Sequence, residues 1–105
     1  MAVLEVKDVD FKGQLESNPN TVVKYFAGWC GSCRLLAPKF RRLSEEDGYS
    51  GVNFLEVDAE NNPEARKMAG VSNLPFVATF KNGELLEGVS TSKEEAIREM
   101  IDKIK

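Results

Sequence analysis

The chain has 105 residues, 42% hydrophobic and 30% charged, with 14 basic and 17 acidic side chains, two cysteines and no histidine. That length suffices for one domain, residues 1–105, with a real core. A net charge of −3, with the basic residues dispersed apart from Arg41-Arg42, leaves no electrostatic footprint for nucleic acid or an anionic membrane, and neither is expected as a partner.

The first eight residues lack the charged start and long apolar stretch of a secretory signal, and no run approaches membrane-spanning length. The expectation is a soluble, cytoplasmic, monomeric protein. Val3 to Val6 reads as a short strand, and Asp8 to Ser17 as a helix closed by the breakers Ser17-Asn18-Pro19-Asn20. Thr21 to Ala27 is nearly continuous in β-branched, aromatic and apolar residues, the pattern of a central strand covered on both faces.

Directly after that strand, Trp29-Cys30-Gly31-Ser32-Cys33 holds both cysteines one helical turn apart, within disulfide reach of each other. At the first turn of a helix a thiolate meets unpaired backbone N–H groups and the positive end of the helix dipole, and both favour the anion. Because the thiolate is the nucleophile in thiol–disulfide exchange, Cys30 is the candidate that attacks a substrate disulfide and Cys33 the one that resolves the mixed disulfide. Metal binding is disfavoured, since two cysteines supply at most half of a zinc ligand set and no histidine completes it. A purely structural disulfide here closes too short a loop to stabilise much.

Leu36, Phe40 and Leu43 recur at helical spacing, so the helix after the cysteines is predicted to run to about Asp47, with Pro38 bending it. Gly51 to Asp58 is a second core strand, reached through a crossover that makes it parallel to the first. Asn62-Pro63 caps and opens a short helix ended by Gly70. Phe76 to Phe80, Asn82-Gly83 and Leu85 to Val89 form a hairpin. Ser92 with Glu95 predicts a capping box ahead of a last helix whose apolar stripe is Ile97, Met100, Ile101 and Ile104. The order β-α-β-α-β-α-β-β-α gives an α/β fold, a three-layer α/β/α sandwich around a central mixed sheet.

This order, with Trp29-Cys30-Gly31-Ser32-Cys33 after a central strand, Ala37-Pro38 in the following helix, Phe54 to Asp58 in the next strand, Leu74-Pro75 before the hairpin and Lys81 to Glu84 at its turn, resembles the thioredoxin family along essentially the full length. The resemblance implies a protein-disulfide reductase with no bound cofactor, acting on disulfide-bearing proteins and recharged by a flavoprotein thioredoxin reductase. It implies a cis Leu74-Pro75 bond facing Cys30, whose backbone pairs with an extended substrate segment. Trp29, Gly31, Ser32, Leu74, Pro75 and Phe76 then form the substrate surface; Trp29 could be one core aromatic among nine, but its place directly before Cys30 resembles the family's active-site tryptophan and favours the surface role.

Four positions depart from the family pattern. Ser32 stands where proline or histidine is usual, which suggests a more oxidising couple, and Phe76 replaces a small polar residue. Lys24 stands where the family buries an aspartate, and Glu56 matches that aspartate's lysine neighbour, so the pair is reversed in sign. Lys24 and Glu56, or a water between them, are candidates to accept the proton when Cys33 attacks. The alternative is that Lys24 reaches solvent along its stem at the sheet edge, or pairs structurally. Gly88 lies near the position of a groove-lining glycine, without a firm match. Beside the reductase stand two further readings, a thiol oxidase or isomerase in an oxidising compartment and a non-catalytic adapter using the same groove.

Overall fold

The computed structural model describes residues 3–105. Its elements are β1 (Leu4–Glu5), α1 (Asp8–Ser17), β2 (Asn20–Phe26), α2 (Gly31–Ser44), β3 (Asn53–Asp58), α3 (Pro63–Ala69), β4 (Phe76–Lys81), β5 (Glu84–Ser90) and α4 (Glu94–Asp102). They form one mixed sheet in the order β1-β3-β2-β4-β5, with β1, β3 and β2 parallel and the β4–β5 hairpin antiparallel.

Strand alternation divides the core between the two faces of this sheet. Val23, Tyr25, Leu55, Val57 and Ala78 pack with Phe11 and Leu15 of α1 and Ala65 and Ala69 of α3. Their neighbours Val22, Phe54 and Val77 pack on the other face with Leu36, Phe40 and Leu43 of α2 and the Ile97, Met100, Ile101 and Ile104 stripe. Val22, Val23 and Tyr25 of β2 are therefore each covered by a helical layer, which is why that segment reads as nearly unbroken apolar sequence.

Four expectations need correction. The helix after the cysteines ends at Ser44, not near Asp47, and Asp47–Tyr49 form a separate 3-10 turn that brings the Tyr49 ring to 6.5 Å from Phe54. The capping box does not form. Lys93 is the N-cap residue of α4 with no side-chain cap bond, and the Thr91 hydroxyl accepts the Lys93 N–H at 3.0 Å. Asn62 precedes Pro63 as expected, but its side chain accepts the Asp8 N–H at 2.8 Å and donates to the Asp58 carbonyl. The α3 N-terminus is capped from a distance by Asp8, whose carboxylate accepts the N–H groups of Glu64 (3.1 Å) and Ala65 (2.8 Å). Lastly, β2 lies between β3 and β4, so Lys24 is not at a sheet edge.

The two turn glycines behave as their sequence context requires. Gly70 ends α3 with φ 65°, and Asn82-Gly83 cross the hairpin with φ 53° and 84°. Beyond that turn the ladder carries a bulge. Phe80 pairs with Leu85 but Thr79 pairs with Glu87, leaving Leu86 as the extra residue and bringing Ser90 opposite Phe76.

Candidate active site

The parallel strands β2 and β3 end at the same side of the sheet, and α2 starts there. Cys30 is the N-cap residue of α2, with extended backbone, and Cys33 lies one turn in. Their Cα atoms are 5.3 Å apart and the two are joined as a disulfide. Cys30 Sγ also accepts the backbone N–H of Cys33 at 3.2 Å. A sulfur thus occupies the position in which a helix start holds a capping oxygen, facing donors that no carbonyl satisfies.

Both cysteines are nearly enclosed, 5% and 3% exposed, and pack with Ala27, Phe26 and Leu74. Trp29, directly before Cys30, is 68% exposed, and Gly31 and Ser32 are exposed in the first turn. Leu74 reaches the cysteines across a cis Leu74-Pro75 bond, and Pro75 is buried. The Phe76 side chain points the other way. It is buried in the α1/α3 face, edge-on to Tyr25 at 6.2 Å, so it adds no side-chain surface beside the disulfide. Gly88 lies over that ring, and a Cβ there would stand 2.9 Å from Phe76 Cζ.

Lys24 and Glu56 are register partners on β2 and β3, and their side chains form an ion pair at 3.0 Å. The Lys24 side chain is 4% exposed and that of Glu56 27%. The ammonium also lies 5.6 Å from the Phe26 ring centre and 5.7 Å from that of Phe40, favourable placements for a cation. Lys24, Glu56 and Cys33 line one cleft of about 340 Å³, together with Glu5, Arg34 and Arg41.

Two contacts at the site escaped sequence reading. Arg34 donates to the Gly28 carbonyl at 2.9 Å, fastening the loop that carries Trp29. Its place one turn after Cys30 was the available signal. The Ser90 hydroxyl donates to the Pro75 carbonyl at 3.3 Å. Sequence offers no sign of this contact, because it depends on the bulge at Leu86. Among the described residues no cluster of metal-binding side chains is present, and no helix is long and apolar enough to cross a membrane.

The thioredoxin family model matches residues 2–103. Thioredoxin-1 of Schizosaccharomyces pombe is 38% identical over 90 residues, covering 83% of this chain and 85% of that relative. Thioredoxin of Staphylococcus epidermidis is 32% identical over 105 residues, 98% of both chains. Among solved structures, thioredoxin f from spinach chloroplast superposes with a TM-score of 0.90 at 28% identity, covering 98% of this chain and 93% of that one. Schistosoma mansoni thioredoxin gives a TM-score of 0.89 at 33% identity over 99% and 96% of the two chains. A match from residue 2 to residue 103, around a cysteine pair joined at the start of a helix, means that this chain belongs to the thioredoxin family and is a protein-disulfide oxidoreductase.

Proposed function

We propose that residues 1–105 act as one domain that reduces protein disulfides, with Cys30 as the attacking and Cys33 as the resolving thiol. The observation that carries this assignment is the Cys33 N–H directed at Cys30 Sγ at the start of α2, a donor that stabilises a thiolate on Cys30 and not on Cys33.

The Cys30 thiolate attacks one sulfur of the substrate disulfide, and the other substrate sulfur leaves as a thiolate and takes up a proton. Cys33 then loses its proton and attacks Cys30 Sγ in the mixed disulfide. The second substrate sulfur leaves as a thiolate, the Cys30–Cys33 disulfide forms, and two electrons have passed to the substrate. Glu56 takes the Cys33 proton, directly or through water in the cleft, and Lys24 holds the carboxylate in place. Trp29, Gly31 and Ser32 form the outer docking surface. Leu74 and Pro75 supply the backbone edge for an extended substrate segment, and Phe76 takes part through its backbone alone.

The cytoplasm, where thiols are kept reduced, suits this direction of transfer, and a flavoprotein thioredoxin reductase is the electron donor that family membership suggests. Ser32 favours a second reading. An exposed serine in the first turn, where the family has proline, relaxes the helix start and leans toward an oxidase or isomerase.

Titrating the Cys30/Cys33 couple against glutathione buffers, with Trp29 fluorescence as the signal and alkylation to count thiols, separates the two. A potential at or below the cytosolic glutathione poise supports the reductase, and a markedly more oxidising one supports the second reading.

A further inference from the structure

Helix α2 is a basic element in an acidic chain. Gly31–Ser44 contains Arg34, Lys39, Arg41 and Arg42 and no carboxylate, whereas the sequence as a whole has 14 basic and 17 acidic residues. Arg34, Arg41 and Arg42 are exposed and Lys39 is half-buried. Arg42 meets Glu94 at 3.6 Å, a loose pair between exposed groups. Arg34 donates to a neutral carbonyl and, like Arg41, borders the cleft that also holds Glu5 and Glu56, but among the described residues none of Arg34, Lys39 and Arg41 forms an ion pair.

This charge stands beside apolar surface. Leu35 is 71% exposed on the same helix, and Trp29, 68% exposed, stands six residues earlier, just before the helix begins. At 3.6 residues per turn, Arg34 and Arg41 fall on one flank of the exposed strip and Lys39 on the other. Elsewhere on the rim Gly70 to Leu74 and Ser90 to Ser92 carry no ionisable side chain, and the acidic residues at this end of the sheet are Asp58 and Glu60 at the end of β3, where Asp58 is the register partner of Phe26. The loop there continues from β3 toward α3 and is tied to the strand before the cysteines by the Ala59 N–H, which donates to the Phe26 carbonyl at 2.8 Å. A partner approaching the disulfide along α2, and not from the Asp58–Glu60 side, meets positive charge, although the molecule as a whole is negative.

We propose that α2 forms the outer half of the docking surface and selects protein disulfides flanked by acidic residues, with partner carboxylates toward Arg34, Lys39 and Arg41 and an apolar side chain against Trp29 and Leu35. The inference rests on the oxidoreductase reading and adds the substrate class. Nucleic acid does not fit, because the basic stretch is one helix of about 21 Å, closed by Glu45, Glu46 and Asp47, and it adjoins a redox pair that needs a disulfide partner.

Three synthetic peptides with one common intramolecular disulfide, flanked by Glu, Gln or Lys, test it. Each is mixed with the fully reduced full-length chain, and its second-order rate is divided by its rate with dithiothreitol to remove the effect of the flanks on the peptide's own reactivity. The proposal expects the order Glu, Gln, Lys, spanning about tenfold or more at low salt and shrinking to about twofold at high salt. Steering by net charge alone gives the opposite order. The double variant Lys39→Glu/Arg41→Glu should reverse the Glu-to-Lys ratio, and if it fails to fold, the salt series on the unaltered chain still decides. Equal normalised rates at low salt, or an order that persists undiminished at high salt, overturn the proposal while leaving the oxidoreductase reading intact. Failure to reduce even the Gln peptide overturns that reading, and the proposal with it.

Discussion

Glu56 and Lys24 face each other at 3.0 Å across the central strands, and both border the cleft that reaches Cys33. Glu56→Gln leaves an ammonium that is almost fully enclosed without its counter-charge. The loss of stability should be on the order of 2 kcal/mol, below the usual cost of breaking a buried pair because Glu56 is partly wet. The double variant Lys24→Met/Glu56→Gln removes the stranded charge and should recover much of that stability in urea unfolding. Release of the mixed disulfide should stay slow in both variants if Glu56 handles the proton. Release at the unaltered rate in the double variant across pH 6 to 9 would reduce the pair to a structural role.

Gly88 has no room for a side chain. A Cβ meets Phe76 Cζ at 2.9 Å, Cε1 at 3.0 Å and the Ala69 carbonyl at 3.4 Å. Because the Phe76 ring is held against Tyr25 and cannot swing into solvent, Gly88→Ala should cost about 1–3 kcal/mol. Phe76→Leu in the same chain should return part of that loss. Additive losses in the denaturation midpoints of the single and double variants would show that the two positions are not in steric conflict.

Asp8 connects the starts of two helices, giving its carboxylate to the Glu64 and Ala65 N–H groups and its own N–H to Asn62. Asp8→Ala should lower stability by about 1–2 kcal/mol, the range for loss of an N-cap. Hydrogen exchange should quicken first at Glu64 and Ala65. Exchange there at the original rate would contradict the cross-chain cap.

Tyr49 and Tyr25 make stability fall in alkali. Burial, and then the hydrogen bond to Asp102 (2.8 Å), push the Tyr49 phenol up to about 12. Tyr25, which donates to the Ala65 carbonyl, is raised by burial and by the charge of Asp8. An unfolded tyrosine ionises near about pH 10, so above that pH the unfolded chain holds fewer protons and stability drops as pH rises. Below it both states are protonated and this contribution is fully present. Urea midpoints of the oxidised protein at pH 8 and pH 11 should fall further for the unaltered chain than for Tyr49→Phe. Equal falls would refute the assignment.

The parts of the fold that depend on local pattern were readable. Cover on both faces of β2, the Asn82-Gly83 turn, the Gly70 stop and the α4 stripe are written in residues close together in sequence. What escaped depends on distant partners. The α3 cap comes from Asp8 more than fifty residues away, and α2 stops early because Tyr49 has a core position to fill. At the site, the cysteine pair and the sign-reversed Lys24–Glu56 pair were legible as residue types at telling positions. The orientation of Phe76 was not, because strand alternation assigns its face only once the register with β2 is known. Ser90 was hidden by a one-residue bulge, since an unbroken hairpin would set Val89 opposite Phe76.

The central claim is the division of labour between Cys30 and Cys33, and trapping tests it most directly. Reduced Cys33→Ser and Cys30→Ser variants are each mixed with a protein disulfide substrate, and the covalent adducts are counted after acid quench. The account predicts a stable one-to-one adduct through Cys30 in the Cys33→Ser variant, released by dithiothreitol, and essentially none in Cys30→Ser. Equal adducts from both variants, or an adduct from Cys30→Ser alone, would contradict it.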